Sequence, residues 1–122
     1  MPFDYVIDKD NRLIVTTARG VVTATEVRSK LDRLLSDPEF DPHLNELIDA
    51  SQVTKMYVPV TAVFEFLAQC RLLGISRTAW VVKESGKWEP LAQMFAAWMS
   101  LDGECKVFHD IPSARAWFAD PA

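Results

Sequence analysis

The polar residues of this chain that are best placed for chemistry follow an apolar run within residues 47–61, LIDASQVTKMYVPVT. Asp49 and Ser51 come at the end of that run, where a strand would hold them and the following loop would expose them. Three further hydroxyl groups lie between this point and the start of the next helix-like segment at residue 61, those of Thr54, Tyr57 and Thr61. This junction is either a working site or a structural corner. We favour the corner, in which Asp49 ends the strand and accepts hydrogen bonds from loop N–H groups.

Metal binding and catalysis find little support among the histidines and cysteines. Cys105 and His109 lie on one predicted strand, and their spacing puts the two Cα atoms ~13 Å apart, too far for one Zn²⁺. His109 and Asp110 could form a base at the carboxyl end of that strand, the edge where α/β sheets usually hold sites. No nucleophile motif and no glycine-rich phosphate loop accompanies them. We therefore predict that the chain is not an enzyme and binds no metal and no cofactor.

The widest apolar surface belongs to a helix predicted at 89–101. A helix that covers one face of a sheet needs an apolar arc of roughly 100°, and this helix exceeds it. Exposed Trp and Met side chains favour interfaces because they offer large and adaptable contact area. The residues that form the candidate interaction surface are Trp88, Met94, Phe95, Trp98 and Met99.

Three explanations of this wide apolar arc stay open. The helices can simply pack on the sheet and on each other, they can form the surface of a homodimer or of another protein complex, or they can wall an apolar pocket. A pocket would also use a helix predicted at 61–73, and its lining would be Phe64, Phe66, Met94 and Trp98. The leading hypothesis is a self-associating protein-interaction module. The alternative is a carrier or sensor for a small apolar, lipid-like molecule.

These residues are positioned by strands and helices that alternate along the chain. The apolar periodicities give the order β-β-α-β-α-β-α-β-α. The strands are predicted at 3–8, 12–20, 45–51, 78–83 and 105–110, and the helices at 24–35, 61–73, 89–101 and 111–118. This order predicts a single α/β domain, residues 1–122, with a mixed, mostly parallel sheet, an N-terminal antiparallel hairpin and four helices.

The first predicted helix begins with a capping box, in which Thr23 accepts from a free backbone N–H and Glu26 reaches back to the cap. The residues assigned to the solvent side of this helix are Arg28, Lys30, Asp32 and Arg33. Glu26–Lys30 and Arg28–Asp32 have the i,i+4 spacing of exposed ion pairs.

Composition excludes several classes of partner. The 122 residues carry a net charge of −4, and their basic residues do not cluster on a predicted helix face, so we expect no nucleic-acid binding. The N-terminal sequence has neither the basic region nor the apolar core of a signal peptide. No apolar run approaches the ~20 residues that span a bilayer. We expect a cytoplasmic protein without a membrane span.

The order of elements and two short motifs resemble the STAS superfamily, named for sulphate transporters and anti-sigma-factor antagonists. Antagonists carry a strand ending in a pattern like D-L-S-x-V-x-F-M-D-S-S-G. Asp49, Ser51 and Val53 match its first half as D-A-S-Q-V, and Met56 matches the methionine. The segment VFHDIPSARAWF also looks like the last strand and helix of this superfamily.

The resemblance breaks at the residues that would carry a phosphorylation switch. Antagonists of this kind are phosphorylated on a serine of the D-S-S-G segment, whereas residues 57–60 read Tyr-Val-Pro-Val here. The chain therefore resembles an uncharacterised SpoIIAA-like branch that keeps the fold and lacks the switch. A phosphorylation-controlled antagonist would require Thr54 or Thr61 to replace the usual serine.

Overall fold

The computed structural model describes residues 3–41, 43–59, 61, 62, 65, 68, 77–84, 86–99 and 104–119, with the backbone alone at 95, 98, 99 and 104. Within these residues the chain forms five strands and three continuous helices, besides the helical residues 61, 62, 65 and 68. In chain order they are β1 (Phe3–Asp8), β2 (Leu13–Thr23), α1 (Ala24–Leu35), β3 (Asn45–Tyr57), β4 (Arg77–Val81), α2 (Glu89–Met99), β5 (Glu104–Phe108) and α3 (Ile111–Ala119).

The five strands form one mixed sheet in the order β1-β2-β3-β4-β5. β1 pairs with β2 in antiparallel orientation, and the other three pairs are parallel. A short turn is enough to join the antiparallel pair, and Asp8 supports it by accepting a hydrogen bond from the backbone N–H of Asn11 at 3.2 Å. Parallel neighbours need longer crossovers, which α1 and α2 supply between β2 and β3 and between β4 and β5. The predicted α/β class, hairpin and mostly parallel sheet are confirmed.

The sheet carries helices on both faces, and the alternation of side chains along the strands decides which residues meet which helix. On the front face, α1 and α2 cover inward residues such as Ala18, Val22 and Val82. On the back face, α3 packs its buried Ala114 against a cluster that includes Leu47. Each strand in the middle of the sheet is therefore buried on both sides, which is why these strands read as apolar runs.

β3 is longer than predicted, because the strand continues through two β-bulges to Tyr57. Its pairing with β2 shifts between Thr17/Arg19 and again between Gly20/Val21, and each shift places one extra residue in β3. Gly20 has φ +69°, a left-handed conformation that glycine adopts at no steric cost. The prediction that the strand ends at Ser51 is therefore wrong, as is the end of β2 at Gly20.

The bulges explain how a long strand keeps the same face turned inward. One extra residue reverses the alternation of side chains, and a second extra residue reverses it again. The front-face residues of β3 and its extension are accordingly spaced unevenly along the chain: Glu46, Ile48, Ala50, Val53, Met56 and Val58.

The first helix begins as predicted and differs from the prediction on its inner side. Thr23 is the N-cap, and its hydroxyl accepts from the Glu26 N–H at 3.4 Å. The Glu26 carboxylate meets the Thr23 hydroxyl at 3.1 Å and not the cap backbone N–H. Lys30 is buried, so its assignment to solvent and to a pair with Glu26 is wrong. The reason is geometric, since Lys30 lies three residues after Val27 and four before Leu34, within the apolar stripe.

The structure bears on two further predictions, the helix at 61–73 and the absence of a membrane-spanning helix. Residues 61, 62, 65 and 68 are helical, and the rest of the helix predicted at 61–73, with Phe64 and Phe66, lies outside the described residues. Within the part of the chain that the structure describes, every helix is too short or too polar to cross a membrane.

A hydrogen bond between β1 and the end of α1 makes stability depend on pH. The Tyr5 hydroxyl donates to Asp37 Oδ2 at 2.8 Å, and burial, followed by this hydrogen bond, raises the pKa of Tyr5. A raised pKa means that the contribution of Tyr5 to stability is complete below pH ~10 and is lost as the pH rises through the folded-state pKa.

We expect Tyr5→Phe to lower the free energy of unfolding by about 1 kcal/mol at neutral pH, because the Asp37 acceptor loses its donor. The difference between wild type and variant should shrink above pH ~10. Urea unfolding at several pH values measures this difference. The control is Tyr57→Phe, since Tyr57 is 60% exposed. A difference from wild type that stays constant with pH would contradict the assignment.

Candidate ligand-binding cavity

A cavity of about 120 Å³ lies between the front face of the sheet and the helices α1 and α2. Strands β1 to β4 form its floor, α1 contributes Val27 and Leu31, and α2 contributes Leu91 and Ala92. All the described lining residues are apolar except Thr16, Lys30 and Glu46. The cavity is thus an apolar space with one small polar region.

The cavity owes its volume to small side chains beneath the helices. Ala18 on β2, Ala50 on β3 and Ala92 on α2 all line it, so at these three positions no large side chain fills the gap between the sheet and the helices. Trp88 forms part of the wall, and its indole Nε1 donates to the Val53 carbonyl at 3.1 Å. Val53 lies beside the second bulge of β3. The bulge therefore positions the carbonyl group that holds the indole.

The polar region of the cavity is a buried ion pair with one additional hydrogen bond. Lys30 Nζ contacts Glu46 Oε2, and the Thr16 hydroxyl donates to the same oxygen at 2.7 Å. The Lys30 and Glu46 side chains are only 7% and 5% exposed. Charges buried to this degree require a partner, because removing either ion from water costs several kcal/mol.

Three neighbouring elements bring these groups together. Glu46 occupies an inward position of β3, Thr16 an inward position of β2, and Lys30 the inner side of α1. The sequence contains a signal for this cluster, although none of the predicted sites includes it. Glu46 belongs to NELIDAS, whose apolar residues indicate a central strand, and a charged residue inside a central strand needs a partner of opposite charge.

The predicted interaction surface is only partly visible. Trp88 is half-buried in the cavity wall. Met94 is 45% exposed and lies outside the cavity lining, although the pocket hypothesis included it. The side chains of Phe95, Trp98 and Met99 lie outside the described residues.

The junction residues are placed along the extended part of β3. Asp49 Oδ1 accepts from the Ser51 N–H at 3.1 Å and from the Ser51 hydroxyl at 2.7 Å, across the first bulge. Asp49 therefore accepts from a backbone N–H, but within the strand and not in the predicted loop. Thr54, Tyr57 and Thr61 are exposed.

His109, which directly follows β5, contacts Glu89 and not Asp110, the residue with which it could have formed a base. His109 Nε2 lies 2.8 Å from Glu89 Oε2 at the start of α2. Asp110 instead caps α3, where it accepts from the Ser113 N–H at 2.7 Å, and this hydrogen bond is the main cause of its lowered pKa. Among the described residues, no three His, Cys, Asp or Glu side chains are close enough to share a metal ion.

Comparison with known proteins identifies the family. The SpoIIAA-like family model matches residues 13–119, and the chain belongs to this family. The match confirms the STAS-like fold that the motifs predicted. A search of solved structures finds an uncharacterized protein with a SpoIIAA-like fold from Shewanella loihica PV-4. It is 18% identical, with a TM-score of 0.64, and the match covers 95% of this chain and 91% of that one. The two proteins therefore share a fold. No curated protein matches the chain.

The buried ion pair gives a prediction about stability. Lys30→Met should lower the free energy of unfolding by about 3–5 kcal/mol, because it leaves the Glu46 charge buried without a partner. The double variant Lys30→Met/Glu46→Gln should recover most of that loss, since it removes both charges and keeps an acceptor for Thr16.

Urea unfolding of both variants measures this effect, with Arg28→Met as the matched control. Arg28 pairs with Glu65 at 2.8 Å, but these side chains are 56% and 57% exposed, so the control should cost less than ~1 kcal/mol. Equal losses for Lys30→Met and Arg28→Met would show that the buried pair contributes no more than a surface one.

Proposed function

We propose that this chain is a non-catalytic STAS-like module that binds a small, largely apolar molecule in the cavity under α1 and α2. The observation that carries the proposal is the cavity itself, a space of about 120 Å³ with an almost wholly apolar lining. Ligand sites in proteins are typically concave, mostly apolar and equipped with a few fixed polar groups. This cavity has all three properties.

The volume supports a ligand the size of a single ring. An engineered apolar cavity of about 150 Å³ stays dry and takes up benzene. A molecule of that size would contact the methyl groups of Val53 and Ala92 and the indole of Trp88, which line the space.

Self-association through α2 is a second proposal. What supports it is Met94, a large apolar side chain that is 45% exposed on this helix. The two proposals are compatible, because Met94 lies outside the cavity lining. A ligand under α2 and a second copy against its outer side would use different residues.

Ligand uptake can be tested with benzene as the probe. We expect benzene to shift the methyl resonances of Val22, Val53 and Ala92 in ¹H–¹³C spectra of the native chain, because these methyl groups line the cavity. Ala92→Leu should abolish the shifts by filling the space, whereas Ala116→Leu, at an exposed position of α3, should preserve them. An absence of shifts in the native chain would overturn the proposal.

Self-association can be tested by light scattering over a range of concentrations. If copies meet through α2, Met94→Glu should yield a monomer with unchanged stability, since an exposed charge there costs little in the folded chain. Gln93→Glu, at a neighbouring exposed position, adds the same charge as a control. A native chain that stays monomeric at all concentrations would contradict this second proposal.

A further inference from the structure

The polar region of the cavity determines which ligands it can accept. We propose that the cavity selects neutral molecules that carry one hydroxyl or carbonyl group over carboxylates of the same size. This inference rests on the proposed ligand-binding function and adds the chemical class of the ligand. It is carried by the arrangement of Lys30, Glu46 and Thr16 in an otherwise apolar lining.

The first reason is charge balance. Lys30 and Glu46 carry opposite charges and contact each other, so the polar region has no net charge. A neutral ligand preserves this balance. A carboxylate would bring a third, unbalanced charge into a largely apolar space, where taking an ion out of water is unfavourable, and it would compete with Glu46 for Lys30.

The second reason is unused hydrogen-bonding capacity. An ammonium group has three N–H donors, and the contact with Glu46 occupies one of those on Lys30. Both hydrogen bonds that the described residues make to the Glu46 carboxylate fall on Oε2. A ligand hydroxyl can therefore accept from Lys30 and donate to Glu46 Oε1, and a carbonyl can accept from Lys30 alone. Neither interaction disturbs the ion pair.

The test compares three probes with one ring each: toluene, benzyl alcohol and benzoate. Titration of the native chain near pH 7, followed by the cavity methyl resonances, gives the three dissociation constants. We expect benzyl alcohol to bind at least as tightly as toluene, because hydrogen bonds inside the cavity replace those lost to water. We expect benzoate to bind at least about tenfold more weakly than the alcohol.

The outcomes separate this inference from the function on which it rests. If toluene binds, and benzoate binds with an affinity equal to or higher than that of benzyl alcohol, the selectivity is overturned and the binding function stands. Binding of toluene without the alcohol would do the same. A failure of all three probes would overturn both proposals.

A charge-removing variant provides an independent test. Glu46→Gln leaves the Lys30 cation without a carboxylate, so we expect benzoate to gain at least about tenfold in affinity relative to the alcohol. Glu65→Gln makes the same change in net charge at an exposed pair and should leave the order of the probes unchanged. An unchanged order in Glu46→Gln would contradict the role of the ion pair. If that variant does not fold, the probe series on the native chain decides alone.

Discussion

The arrangement of the front face depends on one buried ion pair, between Lys30 of α1 and Glu46 of β3. Each ion is tolerated in the interior only because the other is beside it, and Thr16 adds a hydrogen bond to the shared oxygen. A shift of α1 along the sheet would separate the two charges, whereas apolar contacts alone would permit many similar positions. The pair therefore fixes where α1 lies on the sheet, and with it one wall of the cavity.

The other end of the cavity depends on the two bulges of β3. They keep Val53, Met56 and Val58 directed to the front face after the strand has left its neighbour β4, whose last pair with β3 is Asp49↔Val81. The hydrogen bonds from Ser51 to Asp49 and from Trp88 to Val53 both lie beside these bulges. Irregularities of this kind often occur next to functional sites, where they redirect side chains. Here they keep residues of β3 directed into the cavity along the whole length of the strand.

The sheet could be predicted from sequence because alternating strands and helices admit few topologies, and the apolar runs at β3 and β4 marked the buried strands. The length of β3 could not, because each bulge breaks the period-two alternation and QVTKMY then reads as a loop. Lysine is usually exposed, which favours the solvent side for Lys30, but its helical spacing between Val27 and Leu34 places it on the inner side. The wide apolar arc indicated a pocket as one possibility, but its lining could not be predicted, since it combines residues of separate elements that meet only in the folded chain. An apolar cavity does lie under α2, but Met94 is not part of its described lining.

The most direct test of the account is an experimental structure of the chain with benzyl alcohol bound. We expect the ring to lie between Trp88 and Ala92 and the hydroxyl to lie within hydrogen-bonding distance of Lys30 Nζ and Glu46 Oε1, with the ion pair intact. An empty cavity, or a ring bound on the outer side of α2 near Met94, would contradict it.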